Sequence, residues 1–164
     1  MDFRPQESFP PAEDPFTQAE KKRKYILITD DNEGDRVLLR RALEENQVHE
    51  EVRFVNGGLD LLDLLEQCKS PLLGPSRAFP CLILLDLYMP RLDGHETLRI
   101  LKNDPGLKKI PVIILTSSHT LTDVVRSYHD GANSFLTKPL EYDRLVELIA
   151  LVKHYWLQEA QLPV

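Results

Sequence analysis

Cys81-Leu82-Ile83-Leu84-Leu85-Asp86 decides the fold. A short, wholly apolar run bounded by Pro80 and the Pro90 turn reads as a strand buried on both faces, the kind found in parallel sheets covered by helices. Three runs of the same type surround it. Tyr25-Ile26-Leu27-Ile28-Thr29 stops at Asp30-Asp31, Pro111-Val112-Ile113-Ile114-Leu115 stops at Thr116, and Ser134-Phe135-Leu136-Thr137 stops at Lys138. Helical patterns separate them. In such sheets ligands gather at the carboxyl ends of the strands, near the point where strand order reverses. Three carboxylates, a hydroxyl and an ammonium are thereby expected at one edge, although they span more than half the sequence.

Working outward, Val37, Leu38, Ala42 and Leu43 give a helical stripe over about 34–46. A strand at Glu51-Val52-Arg53-Phe54-Val55 turns at Asn56-Gly57-Gly58, and a Leu-rich helix runs from Leu59 to about Cys68. Pro71, Gly74, Pro75 and Pro80 mark a long loop. Asp93-Gly94 opens a helix that Asp104-Pro105-Gly106 stops, a helix near 121–131 closes at Gly131, and a last helix starts near Glu141. The expected architecture is one α/β domain, a doubly wound five-stranded parallel sheet in the order 2-1-3-4-5. It occupies residues 24–158, between a disordered, Pro-rich tail (1–23) and a short C-terminal tail (159–164).

Bulk composition narrows the function classes. The chain has 164 residues, 42% of them hydrophobic, which suits one globular core. A net charge of -6 argues against broad attraction to nucleic acid or anionic lipid. Lys21-Lys22-Arg23-Lys24 is one short basic run and reads as a solvated lead-in. No stretch has transmembrane length, and the N-terminus lacks a signal-like apolar region. Cys68 and Cys81 read as reduced, buried thiols, so a cytoplasmic location is expected. The five histidines show no ligand spacing, and none is assigned to metal.

The strand ends carry the chemistry. Asp30, Asp31 and Asp86 would repel one another at adjacent strand ends, and a hard divalent cation such as Mg²⁺ relieves that repulsion. Acids at a strand end also commonly serve only to solvate a loop or favour a helix N-terminus. Asp86 shifts the balance, because it follows an apolar strand and a carboxylate can act as nucleophile toward phosphorus. Lys138 supplies a compact positive charge for phosphoryl oxygens, and Thr116 a hydroxyl that can bond one.

From about Tyr25 to Leu157 the chain resembles the receiver domain of two-component response regulators, a flavodoxin-like fold. Asp30-Asp31, Leu85-Asp86-Leu87-Tyr88-Met89-Pro90, Asp93-Gly94, Leu115-Thr116-Ser117 and Thr137-Lys138-Pro139 match its motifs in order and spacing. The resemblance implies that Asp86 is the phosphoacceptor, and that Asp31, Asp86 and the backbone carbonyl of Tyr88 ligate Mg²⁺ with Asp30 assisting. Lys138 would bridge to the phosphoryl group while Thr116 swings inward to bond it. The chemistry would be limited to Mg²⁺-dependent self-phosphorylation and autodephosphorylation. Residues 103–111, the long loop at 69–80 and the stretched last helix resemble the small regulators that partner phytochrome-type histidine kinases.

Two positions depart from the common pattern. Tyr88 is a bulky aromatic two residues after the phosphoacceptor, able either to shield an acyl phosphate or to cover the helix behind it. Phe135 matches the family's switch aromatic but lacks a hydroxyl. After Pro139 there is room for one helix and a tail, so output is expected from the domain's own surface. Leu148, Val152, Tyr155 and Trp156 in the last helix are the expected interface of a homodimer, the competing reading being a helix end folded over the sheet. Two other functions compete. An aspartyl phosphohydrolase lacks its second acid, since Tyr88 stands there. A phosphorylation-independent binding module would normally have lost Asp86, Lys138 or one of the acidic pair.

Overall fold

The computed structural model describes residues 24–70 and 78–163. The expected N-terminal tail, Lys21-Lys22-Arg23, and Pro71, Gly74 and Pro75 of the long loop lie outside the described residues.

Five βα units follow in order: β1 (Tyr25–Thr29), α1 (Glu33–Glu45), β2 (Glu51–Val55), α2 (Gly58–Lys69), β3 (Leu82–Leu85), α3 (Gly94–Asn103), β4 (Val112–Thr116), α4 (Leu121–His129), β5 (Ser134–Thr137) and α5 (Tyr142–Val152). The strands form one parallel sheet in the order β2-β1-β3-β4-β5, as the sequence led us to expect. The continuous apolar runs are explained by burial on both faces. Tyr25, Leu27, Ile83, Leu85, Val112 and Ile114 pack with Leu61 and Leu65 of α2 and Leu98 and Leu101 of α3. Their neighbours Ile26, Ile28, Leu82, Leu84, Ile113 and Leu115 pack with Leu39 and Leu43 of α1 and Leu145 and Ile149 of α5. Alternation along each strand sends successive side chains to opposite layers, so both must be apolar.

Local chemistry sets the helix ends. Asn32, Asp93 and Thr120 each accept a hydrogen bond from the backbone N–H three residues on, capping α1, α3 and α4. Gly131 closes α4 in the left-handed region at φ 99°, where its N–H donates to Tyr128 O and that of Ala132 to Ser127 O.

The last helix departs from expectation. After Val152 it widens into a π-helical stretch, Lys153–Glu159, in which the Ala160 N–H reaches back five residues to Tyr155 O. The wider turn breaks the α spacing on which the apolar arc was read. Val152 is buried in the chain's own core, and Leu148 and Trp156 pack against that core. Of the four expected interface residues only Tyr155 is exposed. Leu148 and Trp156 are half-buried against the chain's own core, and Leu151 and Tyr155 stay exposed beside them.

Candidate functional site

Strand register brings the site together. Thr29 pairs with Leu85, so Asp30 and Asp86 leave the sheet side by side, with the Asp86 N–H donating to Thr29 O at 3.0 Å. Thr116 pairs with Thr137, and the Lys138 N–H donates to Thr116 O at 2.7 Å. Gly94 lets α3 begin against the end of β3, because a Cβ there would collide with the carbonyl oxygen of Asp86.

Lys138 Nζ lies 2.7 Å from Asp30 Oδ2, 2.8 Å from Asp35 Oδ2 and 3.0 Å from Asp86 Oδ2. Asp30 and Asp86 are buried, and Asp31 is exposed. Carboxylate oxygens of these three all lie within 4.8 Å of one another. The second oxygen of Asp86 accepts the Leu87 N–H at 2.7 Å, and that of Asp30 accepts the Asn32 N–H at 2.9 Å. Arg36 fixes the same corner by donating to Asp30 O at 2.7 Å.

The charges are out of balance. One ammonium serves three carboxylates, with Asp31 beside them. Burial raises the Asp30 carboxyl above its ordinary value, against the lowering pull of Lys138 and the Asn32 N–H. Burial alone would lower the Lys138 ammonium, but Asp30, Asp35 and Asp86 outweigh it and hold that group well above the ordinary lysine range. A hard divalent cation fits this donor set, being the partner for which clustered, partly solvated carboxylate oxygens are suited.

Thr116 is fully buried, and its Oγ1 accepts the Ser118 N–H at 3.4 Å. Phe135 is partly buried against the core, and its N–H donates to Tyr128 Oη at 3.2 Å. Tyr88 is exposed, with its hydroxyl bonded to Asp123 Oδ2 at 2.7 Å. Asp30, Asp31, Asp86, Thr116 and Lys138 thus meet at the predicted edge.

Sequence reasoning missed Asp35 and Asp123. Asp35 sits in the first turn of α1, where an acid is ordinarily explained by the helix dipole. Asp123 occupies the equivalent place in α4 and has the same innocent explanation. Neither offered a distinguishing signal in sequence.

The family description "Response regulator receiver domain" matches residues 26–150. The probable methanogenesis regulatory protein FilR2 of Methanothrix harundinacea is 36% identical over 146 residues, covering 89% of this chain and 86% of that protein. Response regulator Rcp1 of Synechocystis is 35% identical over 140 residues, 85% of this chain and 93% of its own length. Its Mn²⁺-bound crystal structure superposes with a TM-score of 0.76 at 34% identity, over 86% of this chain and 99% of that one. The phosphorylated cyanobacterial phytochrome response regulator RcpA gives 0.77 at 36% identity, over 87% and 99%.

Proposed function

Since the chain belongs to the response regulator receiver family, we propose that it accepts a phosphoryl group on Asp86 from a histidine kinase and relays the signal by a change of surface. The observation that carries this reading is the cluster of Asp30, Asp31, Asp86 and Lys138, an acid-rich corner built around Asp86.

In this reading Asp86 Oδ attacks the phosphorus of a phosphohistidine. The new O–P bond forms as the N–P bond breaks, and the electron pair returns to the imidazole. Lys138, already 3.0 Å from Asp86, moves its charge onto the phosphoryl oxygens. Asp31, Asp86 and the Tyr88 carbonyl would hold Mg²⁺, with Asp30 assisting. The ion supplies charge neutralisation of the phosphoryl oxygens when bound. Thr116 then leaves its contact with Ser118 to bond a phosphoryl oxygen, and Phe135 follows inward, shifting an existing equilibrium. Apart from its own phosphorylation and dephosphorylation the protein is no enzyme.

Exposed Val37 and Leu38 of α1 and Leu140 beside Lys138 offer an apolar rim on which a kinase can rest. A phytochrome-type kinase is the partner favoured, because RcpA is a phytochrome response regulator. Incubation with acetyl phosphate and Mg²⁺ followed by intact mass analysis tests the core of the reading. One stable phosphoryl group, lost in Asp86→Asn, is expected. Turnover of phosphate esters would point to a hydrolase, and no mass change to a phosphorylation-independent module.

A further inference from the structure

Asp123 collects an unusual number of donors from separate parts of the chain. Its Oδ2 accepts Tyr88 Oη at 2.7 Å, Thr120 Oγ1 at 3.0 Å and the Ser118 hydroxyl, and its Oδ1 faces His95 Nε2 at 3.1 Å. Tyr88 lies two residues beyond Asp86, and Ser118 two residues beyond Thr116. His95, at the start of α3, is buried. One carboxylate therefore ties together the loop leaving β3, the helix after it, and the loop leaving β4. Helix capping does not explain this arrangement, because Thr120 already accepts the Asp123 N–H and caps α4. The imidazole Nδ1 of His95 has no partner among the described residues, so the contact with Asp123 is its ring's hydrogen bond. Ser118, Tyr88, His95 and Thr120 together hold the Asp123 carboxyl well below the usual carboxylate range, with burial opposing them.

Resting on the assignment of Asp86 as phosphoacceptor, we propose that Asp123 restrains phosphoryl transfer, as a clasp that holds the Tyr88 and Ser118 loops together in the resting arrangement. When the Thr116 hydroxyl leaves the Ser118 N–H that now donates to it and bonds a phosphoryl group on Asp86, the chain at Ser118 loses that anchor and shifts. That movement strains or breaks the Ser118–Asp123 bond, and through the shared carboxylate it loosens Tyr88 and His95. The clasp thus favours the resting population, and a group that favours one of two states slows reactions that draw on the other.

The test compares full-length wild type, Tyr88→Phe, Asp123→Asn and the double variant, each incubated with acetyl phosphate and Mg²⁺, with phosphorylated fraction followed by mass. Tyr88→Phe removes only the hydroxyl and leaves the Thr120 cap intact. Each single variant is expected to take phosphate severalfold faster than wild type, and the double variant no faster than the quicker single, because both break one clasp. Nitrogen-15 resonances of the His95 ring should move on phosphorylation of wild type and stay near their resting positions in phosphorylated Thr116→Ala, a readout that a purely structural bond would not give. Unchanged or slower phosphorylation of Tyr88→Phe, beside a wild type that accepts phosphate, overturns the clasp alone. A wild type that takes no phosphate overturns the clasp and the assignment of Asp86 together.

Discussion

Two polar clusters share the carboxyl edge of the sheet and are built on opposite principles. Around Lys138 one cation is divided among Asp30, Asp35 and Asp86. Around Asp123 one carboxylate is supplied by Tyr88, Ser118, Thr120 and His95. The first has more negative charge than its own residues can satisfy, so it is poised to bind something. The second is surrounded by hydrogen-bond donors from its own chain, so its effect is to hold loops in place. Buried polar groups cost free energy unless paired, which makes an unbalanced cluster a signature of binding and a balanced one a signature of architecture.

The sharpest way to break this contrast is to remove the nucleophile from the unbalanced cluster. Asp86→Asn should abolish phosphate incorporation entirely, seen as no mass change with acetyl phosphate and Mg²⁺. It should also raise the melting temperature in metal-free buffer, because one of the crowded negative charges is gone. Removing the cation should act the other way. Lys138→Ala leaves buried Asp30 and Asp86 without their counter-charge, at a cost of about 3–5 kcal/mol in urea unfolding. Mg²⁺ or Mn²⁺ should restore part of that loss, rising with the logarithm of its concentration, since it binds only the folded state. A Lys138→Ala protein indifferent to divalent cations would remove the metal from the corner.

Acid titration separates the clusters more gently. The Asp30 carboxyl is raised, so as pH climbs from the ordinary carboxylate value toward its folded value the unfolded chain releases a proton that the folded one keeps, and stability falls. The Asp123 carboxyl is depressed, so its contribution is complete above the ordinary value and is lost as pH drops below it. Carbon-13 titration of the two side chains in metal-free buffer should find them on opposite sides of the ordinary value. Both titrating together would erase the distinction. The smallest effect is expected far from either cluster. Trp156→Ala trims a partly buried ring from the core beneath α5 and should cost about 1–3 kcal/mol, leaving phosphorylation of Asp86 unchanged.

The fold was legible because burial on both faces leaves a parallel strand little choice of composition. Runs such as Leu82–Leu85 are apolar throughout, and a polar residue ending each run marks the carboxyl edge of the sheet. The corner of Asp30, Asp86, Thr116 and Lys138 was legible for the same reason, since parallel strands necessarily deliver their ends to one edge. The widening of the last helix was not legible, because the π-helical stretch after Val152, with Trp156 packed partly onto the core, leaves no mark in an α spacing.

By itself, then, the sequence determined the strands and the polar residues at their ends, which follow from local hydrophobic pattern and the geometry of a parallel sheet. Only the tertiary structure decided that Asp35 would reach Lys138 from 103 residues away, and that Asp123 would gather Tyr88, Ser118 and His95. Those contacts join side chains on different elements across loops, and their partners depend on how α1 and α4 dock against the sheet. No periodicity records such docking, because a first-turn aspartate is equally at home capping its own helix or reaching across to another.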